Sequence, residues 1–490
     1  MTWTPLSPSI RSCRAPTFAK RCVFLAPPIQ PESVAYWLRE ALEITACQVP
    51  YLQSCVAHLK HPYRHGAKAL SSPNQTPEDL FNVQDCSHNW SYEELKSMWF
   101  PPSSLREFQP EIPRPCAEDR KVVFRARLTL LSGGFMLGIA VHHSTTDITG
   151  LGALLRLWAA NCRDLQASDH EPAAHAIEEQ ADRLVKIGLP SGMVNMLDRD
   201  LVKTLGSGVA SSEIPSTVPQ VVPFPYDDQI QGPPGTVTAS PSPTFISAIW
   251  YFSAHSLLRL KAAVTARLRD VANDIPWVST GDILTALLWS AVVAAEPPPS
   301  SMVDDKVLWP STIYIPVNFR GRCEPPLSRN YLGAAFGRAI VTIPAHELLS
   351  LAGGATGLRQ YELKDTMILT RTAAAIRRAI AGQVTAQSIR TAMAYLASNP
   401  ILDPTGRRRS DGISMVSWAD EGICGLSWGP FVGRCEAVRP AGMTGRRYPI
   451  VLPRLADGGL EVFLSLEATA MERFGNSSLL KELGEVRCRG

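Results

Sequence analysis

The sequence predicts an α/β protein of two domains, each a mixed β-sheet with flanking helices. A chain of 490 residues is too long for one compact core, so two cores are expected. Apolar runs with strand and helix spacing follow one another in both halves, which is typical of layered α/β folds. Between residues 206 and 245 the composition changes to Pro, Gly, Ser and Thr, which favours a crossover linker. We therefore expect a domain over 1–205 and a domain over 246–490, with part of 370–425 packed on the first.

The apolar spacing then predicts individual elements in order. In the first half it indicates a helix over Ser33–Thr45, a hairpin of two strands joined by Ser132-Gly133-Gly134, and a helix from Ile148 to Cys162. The hairpin strands are Lys121–Leu131 and Gly134–Val141. In the second half it indicates strands over Ile249–Ser253, Ser311–Phe319, Tyr448–Leu452 and Leu460–Leu466, and helices over Leu257–Ala263, Asp282–Val293 and Arg371–Ala381.

Composition excludes several classes of function. A net charge of +3 gives no basic field for nucleic acid. The longest apolar stretch, Ile283 to Ala295, is about half of what spans a bilayer, and the N-terminus lacks an apolar signal core. Eleven cysteines without a Cys-x-x-Cys pair fit reduced thiols, so we expect a cytoplasmic protein without disulfides or a zinc site.

One five-residue motif contains candidate catalytic residues. It is His143-Ser144-Thr145-Thr146-Asp147, which lies where the second hairpin strand ends and a helix is predicted to begin. An imidazole with a carboxylate close by can deprotonate a hydroxyl or an amine. The three hydroxyl residues between them all suit the N-cap of the helix. His142 lies on the opposite face of the strand by alternation and is expected to be buried or hydrogen-bonded.

A second histidine cluster lies in a polar stretch of the first half. His58, His61 and His65 flank Pro62, Tyr63 and Arg64, with no nearby cysteine and no helix period. We interpret this stretch as a solvated loop and expect no metal site.

Longer blocks resemble the BAHD superfamily of acyl-CoA-dependent acyltransferases, in its fungal branch. The segment His143–Asp147, preceded by His142 and followed by Gly150, is similar to the His-x-x-x-Asp motif of that family. Matching blocks occur in the family's order across nearly the whole chain: Gly281–Trp289, Val317-Asn318-Phe319-Arg320-Gly321-Arg322, Pro325-Pro326-Leu327, Tyr331-Leu332-Gly333 and Trp428-Gly429.

The resemblance implies two domains of chloramphenicol-acetyltransferase-like topology that meet along a tunnel. Acyl-CoA would enter from one face as co-substrate, and a hydroxylated small molecule from the other, with no bound cofactor or metal. The family assigns His143 as general base, Asp147 as the partner of Arg320, and Trp428 as donor to the oxyanion. Lys261, Ser279 and Ser417 stand at positions where family members approach the acyl-CoA, although each also suits a plain surface or capping role.

The family usually has Asp-Phe-Gly-Trp-Gly near its C-terminus, whereas this chain has Gly425-Leu426-Ser427-Trp428-Gly429. Without the leading Asp, the anchoring of this loop is open. We expect an O-acyltransferase, in particular an O-acetyltransferase of fungal secondary metabolism, acting as a monomer. The alternatives are an N-acyltransferase, a condensation-like enzyme fed by a carrier protein, or a silent member of the family that only binds.

Overall fold

The fold is taken from a computed structural model. It describes residues 3–5, 18–24, 31–58, 68–71, 75–105, 108, 120–143, 145–167, 209–213, 244–296, 309–352, 363–398, 412–440 and 448–489. Most of the expected linker over 206–245 lies outside these ranges, as do His61 and His65.

The first half contributes eight strands and three helices to the described part of the chain. The strands are β1 Trp3–Pro5, β2 Phe18–Phe24, β3 Cys55–His58, β4 Lys68–Ser71, β5 Phe81–Asp85, β6 Arg120–Val122, β7 Phe124–Leu131 and β8 Gly134–Val141; the helices are α1 Pro31–Gln48, α2 Tyr92–Ser97 and α3 Ile148–Ala167.

The second half contributes nine strands and seven helices to the same described ranges. The strands are β9 Phe245–Phe252, β10 Pro310–Asn318, β11 Phe336–Pro344, β12 Ile413–Ser414, β13 Val416–Ser417, β14 Cys435–Pro440, β15 Ile450–Val451, β16 Leu460–Glu467 and β17 Glu485–Arg489; the helices are α4 Ala254–Val271, α5 Thr280–Ala295, α6 Ala345–Ala352, α7 Leu363–Gln383, α8 Ala386–Ser398, α9 Ala468–Gly475 and α10 Ser478–Leu483.

Each half has a five-stranded mixed sheet, which confirms the expected fold class. The first sheet has the order β14-β2-β8-β7-β5, and the second the order β13-β15-β16-β9-β17. In the first sheet β5 runs parallel to β7 and the other neighbours are antiparallel. The turn between β7 and β8 needs Gly133, whose φ of +79° is a conformation that favours glycine. Strand β8 leads directly to the motif His143–Asp147.

Two helices pack together beside the first sheet. The side chain of Trp158 on α3 is fully buried, and its indole N–H donates to the carbonyl of Leu38 on α1 at 3.0 Å. Helix α3 is therefore held against α1. Because the His143 loop runs straight into α3, that helix also fixes the loop.

In the second half, α5 is apolar on all sides and nearly every residue is buried, as expected for a helix inside the core. A capping box starts it: the Ser279 hydroxyl accepts from the amide of Asp282 at 3.0 Å, and the Asp282 carboxylate accepts from the amide of Ser279 at 2.6 Å. A three-stranded sheet, β11-β10-β12, carries Asn318 at the end of β10, close to the site.

A segment of the second half packs on the first half. Strand β14 pairs antiparallel with β2 at the edge of the first sheet, and the buried side chains of Trp418, Ile423 and Trp428 join the core of the first half. Helix α7, by contrast, packs on α4 and α5 of the second half. The part that packs on the first half is therefore 418–440, and residues 370–383 stay with the second.

Several predicted elements differ from the observed ones in their bounds: the helices expected over Leu257–Ala263 and Arg371–Ala381 run over Ala254–Val271 and Leu363–Gln383. Two further differences lie close to the His143 motif. The run Lys121–Leu131 is split at Val123, because β6 pairs with β3 in a separate four-stranded sheet while β7 pairs with β8. Helix α3 continues to Ala167, past the expected end at Cys162. No helix in the described part of the chain is long and apolar enough to cross a membrane.

Candidate active site

His143 follows β8 and is held by its own loop. Its Nδ1 lies 3.0 Å from the carbonyl oxygen of Thr146. A carbonyl oxygen can only accept, so this hydrogen bond requires the tautomer with the proton on Nδ1. In the neutral ring the lone pair is then on Nε2. The loop therefore fixes which nitrogen can act as a base.

The His143 imidazole is half-buried. It lies where the first half of the chain contacts the second, an interface that we call the seam. Its ring stacks on Phe336 of β11, with 6.3 Å between centroids and 29° between planes. The neighbouring Thr146 hydroxyl donates to the carbonyl of Leu332 at 2.7 Å. Residues from the second half thus fix both the ring and the backbone of the His143 loop.

Asp147 caps α3. One carboxylate oxygen accepts from the amide of Gly150 at 2.8 Å, and its backbone carbonyl accepts from the amide of Leu151, which is the N-cap arrangement. The prediction of a hydroxyl N-cap was wrong for Thr145 and Thr146, because Asp147 occupies the N-cap position. Thr145 instead donates to the carbonyl of His142 at 2.7 Å, and Thr146 donates to that of Leu332. Ser144 lies outside the described residues.

Arg320 reaches Asp147 from the second half in a bidentate pair. Nη2 donates to Oδ1 at 2.8 Å and Nη1 to Oδ2 at 2.9 Å. The side chains are 2% and 7% exposed, so the pair is shielded from water. The amide of Ala335 donates to Oδ2 at 2.8 Å. Each carboxylate oxygen therefore accepts two hydrogen bonds.

The electrostatics keep Asp147 ionised. Burial by itself raises the pKa of this carboxyl, but the Arg320 charge and hydrogen bonds, with the amides of Ala335 and Gly150, outweigh it, so that the pKa lies below its ordinary value. A buried, fully paired carboxylate whose oxygens point at Arg320 is suited to hold the loop in place. It is not placed to exchange protons with a substrate.

Arg320 also holds the segment 331–335, which faces the motif. Its guanidinium donates to the carbonyls of Tyr331 at 3.2 Å and Gly333 at 2.6 Å. The same segment approaches the first turn of α3 so closely that a Cβ at Gly150 would collide with the Leu332 carbonyl and the Thr146 hydroxyl. Glycine at 150 is therefore required by space.

The loop 425–429 is anchored at the other end of α3. The carbonyl of Ser427 accepts from Arg163, the carbonyl of Trp428 accepts from Gln166 at 2.7 Å, and the Gln166 side chain accepts from the amide of Phe431 at 2.9 Å. Side chains of α3 thus replace the anchoring that the missing Asp at Gly425 left open.

This anchoring places the backbone of the loop beside the end of α3. The helix has 20 residues and is about 30 Å long at ~1.5 Å per residue; His143 precedes its first turn, and Gln166 is in its last. The Trp428 ring is 1% exposed and meets Trp158, halfway along the helix, edge to face at 5.2 Å. Donation by Trp428 to an oxyanion stays a prediction, and the buried contact with Trp158 favours a packing role.

The three residues considered for acyl-CoA lie on different elements. Lys261 is exposed on α4 and Ser417 is exposed on β13. Ser279 caps α5, and Arg377 donates to its hydroxyl at 3.0 Å, so its oxygen already has two protein partners. No set of three His, Cys, Asp or Glu residues in the described ranges could hold a metal ion.

Family comparisons agree with this geometry in both halves. Residues 22–162 match the family described as "Trichothecene 3-O-acetyltransferase-like N-terminal domain", and residues 247–479 match the "Transferase family". The chain belongs to the BAHD acyltransferases. The two matches include His143 with Asp147 in the first half and Arg320 with Trp428 in the second.

Individual relatives of this BAHD acyltransferase are fungal. It is 25% identical to the O-acetyltransferase ptmV of Penicillium ochrochloron over 71% of this chain and 67% of that one. It is 24% identical to the acyltransferase easC of Emericella nidulans over 90% and 86%. The solved structure of Fusarium TRI101, "F. graminearum TRI101 complexed with Coenzyme A and Deoxynivalenol", superposes with a TM-score of 0.74 at 18% identity, covering 99% of this chain and 100% of that one. The protein is accordingly an acyltransferase.

Several polar residues near the motif were missed from the sequence. Thr149, Asn318 and Glu421 form hydrogen bonds around the start of α3, and Gln166 holds the 425–429 loop. Thr149 could have been noticed, because it is the second residue after Asp147. For Asn318, Glu421 and Gln166 the sequence carries no local signal, since their partners are far away in the chain.

Proposed function

We propose that this BAHD acyltransferase transfers an acetyl group from acetyl-CoA to a hydroxyl of a small-molecule secondary metabolite, with His143 as the general base. The observation that carries the proposal is the hydrogen bond from Nδ1 of His143 to the Thr146 carbonyl. It leaves the lone pair on Nε2 of a half-buried ring at the seam between the halves. That is where two substrates entering from opposite faces would meet.

The chemistry follows from that lone pair. An aliphatic hydroxyl is a poor nucleophile near neutral pH, so Nε2 takes its proton as the oxygen attacks the thioester carbonyl. A tetrahedral intermediate forms, and its collapse breaks the carbon–sulfur bond. The imidazolium then returns the proton to the leaving thiolate, which gives free CoA and the ester. The Thr146 carbonyl stabilises the imidazolium because Nδ1–H keeps donating to it.

Asp147 and Arg320 act through position in this scheme. Their pair joins the first turn of α3 to the 331–335 segment, so the His143 loop keeps one geometry while the ring changes charge. Loss of that geometry is costly, since a displacement of about 1 Å can lower a rate ~100-fold. Neither side chain is proposed to touch the reacting atoms.

For the donor we propose binding across Lys261, Ser279 and Ser417, with Lys261 as the charge that meets a phosphate. Replacement of Lys261 by Ala should raise KM for acetyl-CoA and leave kcat unchanged, which is the mark of lost ground-state binding. A lower kcat with unchanged KM would remove Lys261 from the donor site.

We further propose a monomer in the reducing cytoplasm. Eight cysteines of the described part of the chain carry free thiols, which supports a reducing compartment. Light scattering of the purified protein tests the oligomeric state, and a mass near twice 53.5 kDa would contradict it.

The test is a screen of hydroxylated terpenoid, polyketide and alkaloid acceptors with acetyl-CoA, with deoxynivalenol included because the TRI101 structure contains it. Mass spectrometry detects a gain of one acetyl group, and the folded His143→Ala variant is the matched control. We expect at least one acetylated alcohol that the variant does not form. Acetylation of amines alone, or no acetyl transfer with tight binding of a carrier protein, would contradict the proposal.

A further inference from the structure

Glu421 lies against α3, close to the His143 loop. Its carboxylate occupies the space beside Gly152, which we call the notch. Glu421 ends the short 3-10 turn Ala419–Glu421, and its carboxylate accepts from the Thr149 hydroxyl at 2.6 Å. Arg156 donates to the Glu421 carbonyl at 3.2 Å. Thr149, Gly152 and Arg156 lie on one face of the helix, because they are three and four residues apart.

The notch exists because residue 152 is glycine. A Cβ there would be 3.0 Å from the second carboxylate oxygen of Glu421 and 3.3 Å from Nη1 of Arg156. Any side chain at 152 would therefore press on the carboxylate. Glu421 is half-buried, which means that it is held by the helix surface and does not extend into solvent.

Hydrogen bonds connect this notch to the catalytic motif without a break. The Thr149 hydroxyl, which donates to Glu421, accepts from the Asn318 amide at 3.2 Å. The Asn318 side-chain oxygen accepts from the amide of Arg320 at 3.0 Å and from its Nη1 at 3.2 Å. Nη1 in turn donates to Asp147 at 2.9 Å. The path therefore runs from Glu421 to the carboxylate that caps α3.

We propose that Glu421 is a positioning residue for acyl transfer: it fixes Thr149 and Asn318, and through them the Asp147–Arg320 pair and the His143 loop. The inference deepens the proposed function and rests on it, because the transfer rate is one of its measures. Glu421 is not proposed to touch either substrate. Its contribution is the orientation of groups that fix the imidazole.

The charges around Glu421 indicate which substitution should preserve the role. Burial raises the pKa of this carboxyl, the Thr149 hydrogen bond lowers it, and the Asp147 charge raises it again, while Arg156 and Arg320 act in the opposite direction. The net direction is upward, so the site favours a neutral side chain more than water does. Gln keeps an acceptor oxygen for Thr149 and should therefore preserve the arrangement, whereas Ala removes it.

The notch offers a second, independent variant. Alanine is a better helix former than glycine, so Gly152→Ala should strengthen α3. The same Cβ should displace the Glu421 carboxylate. If positioning by Glu421 matters, Gly152→Ala lowers activity without lowering thermal stability, which a merely structural contact would not produce.

The experiment compares four variants with the wild type: Glu421→Ala, Glu421→Gln, Gly152→Ala, and Asp420→Ala as the matched control. Asp420 is the neighbouring acid, with a side chain that is 94% exposed. Release of thiol from acetyl-CoA is followed with the best acceptor of the screen. We expect Glu421→Ala and Gly152→Ala to lower kcat about 10- to 100-fold with nearly constant KM for acetyl-CoA, and Glu421→Gln and Asp420→Ala to stay within about threefold of wild type.

A second measurement separates this inference from the proposed function. The rate at which diethyl pyrocarbonate modifies His143 is obtained by subtracting the His143→Ala variant, and needs no acceptor. Glu421→Ala should change that rate several-fold while Asp420→Ala leaves it constant. Wild-type kcat and an unchanged modification rate in Glu421→Ala, or equal losses in Glu421→Ala and Glu421→Gln, overturn the inference. If the wild type releases no thiol with any acceptor, the proposed function fails, and the modification rates alone decide on Glu421.

Discussion

Asp147 and Arg320 form a two-point ion pair across the seam between the halves, although 173 residues separate them in the chain. The carboxylate also caps α3 and accepts from the amide of Ala335. One buried group thus ties together the helix after the catalytic loop, the strand end at Arg320 and the 331–335 segment. This explains how a charged pair inside the protein can serve catalysis without taking part in it.

Breaking this pair should cost both stability and activity. Removal of one partner leaves the other charge buried, at about 3–5 kcal/mol of unfolding free energy. We therefore expect Asp147→Ala and Arg320→Ala each to lose that much, and the double variant to lose less than the sum. Urea unfolding of the four proteins measures it.

The pair between Arg439 and Glu461 is a matched control, because it is also bidentate and each side chain is only 1% exposed. Arg439→Ala should lower stability and leave kcat of the folded protein unchanged. Strictly additive losses at Asp147 and Arg320, or equal effects of both pairs on kcat, would contradict a positioning role.

The Asp147 carboxylate should make the stability of the fold depend on pH. Because the folded pKa of Asp147 is lowered, its pairing stabilises the fold fully above the unfolded value of about 3.9, and the stabilisation is lost as the pH falls through the lower folded pKa. The stability gap between wild type and Asp147→Asn should therefore shrink on acidification from about pH 5 to about pH 3. Unfolding curves at several pH values measure the gap, and a constant gap would mean that Asp147 does not titrate with folding.

His143→Ala should abolish acetyl transfer while the protein stays folded. The ring contacts Phe336 at the seam but is only half-buried, so little packing is lost. Loss of a general base lowers a rate about 10²- to 10⁴-fold. The control is His88→Ala, an exposed histidine far along the chain from the motif. Wild-type turnover in a folded His143→Ala enzyme would remove His143 from the mechanism.

Periodic sequence patterns were sufficient for the main elements around the site. The apolar spacing after Asp147 predicted α3, and the Gly133 turn predicted the hairpin that delivers His143. Both signals are local, since each depends on residues within a few positions. The break at Val123 was missed because Val122, Val123 and Phe124 form a continuous apolar run, and only the different partner strands separate β6 from β7.

The polar contacts of the site were harder to predict. The resemblance to a family suggested that Asp147 and Arg320 meet, but nothing local indicates that Asp147 is the N-cap in preference to three neighbouring hydroxyl residues. The competing bond of Thr146 goes to Leu332, which lies in the other half. Glu421 shows the same limit, because its place depends on a glycine notch 269 residues earlier.

The close approach at Gly150 is a further test of the seam. In an exposed helix Gly→Ala usually stabilises, by up to ~1 kcal/mol. At 150 the added methyl group meets the Leu332 carbonyl and the Thr146 hydroxyl, so we expect a loss of about 1–3 kcal/mol and reduced activity. Gly382→Ala, where nothing lies within 4 Å, is the control and should be neutral or stabilising. Thermal unfolding compares the two, and a stable, active Gly150→Ala protein would show that the seam is looser than described.

Variants of Trp428 test whether its indole donates a hydrogen bond in catalysis or only packs in the core. Its ring meets Trp158 inside the core of the first half, and its loop is fixed to the last turn of α3 by Arg163 and Gln166. Phenylalanine keeps an aromatic ring but has no N–H to donate. If Trp428 packs, Trp428→Phe should keep kcat within about twofold, whereas loss of an oxyanion donor would lower it about 10²- to 10³-fold.

The alanine variant completes this test. Trp428→Ala would leave a cavity beside Trp158 and should lower the unfolding free energy by about 3–5 kcal/mol. Gln166→Ala, which removes two hydrogen bonds of the loop without removing either ring and leaves the bond from Arg163, should loosen the loop and cost less. A large fall in kcat for Trp428→Phe at unchanged stability would restore the indole to the catalytic residues.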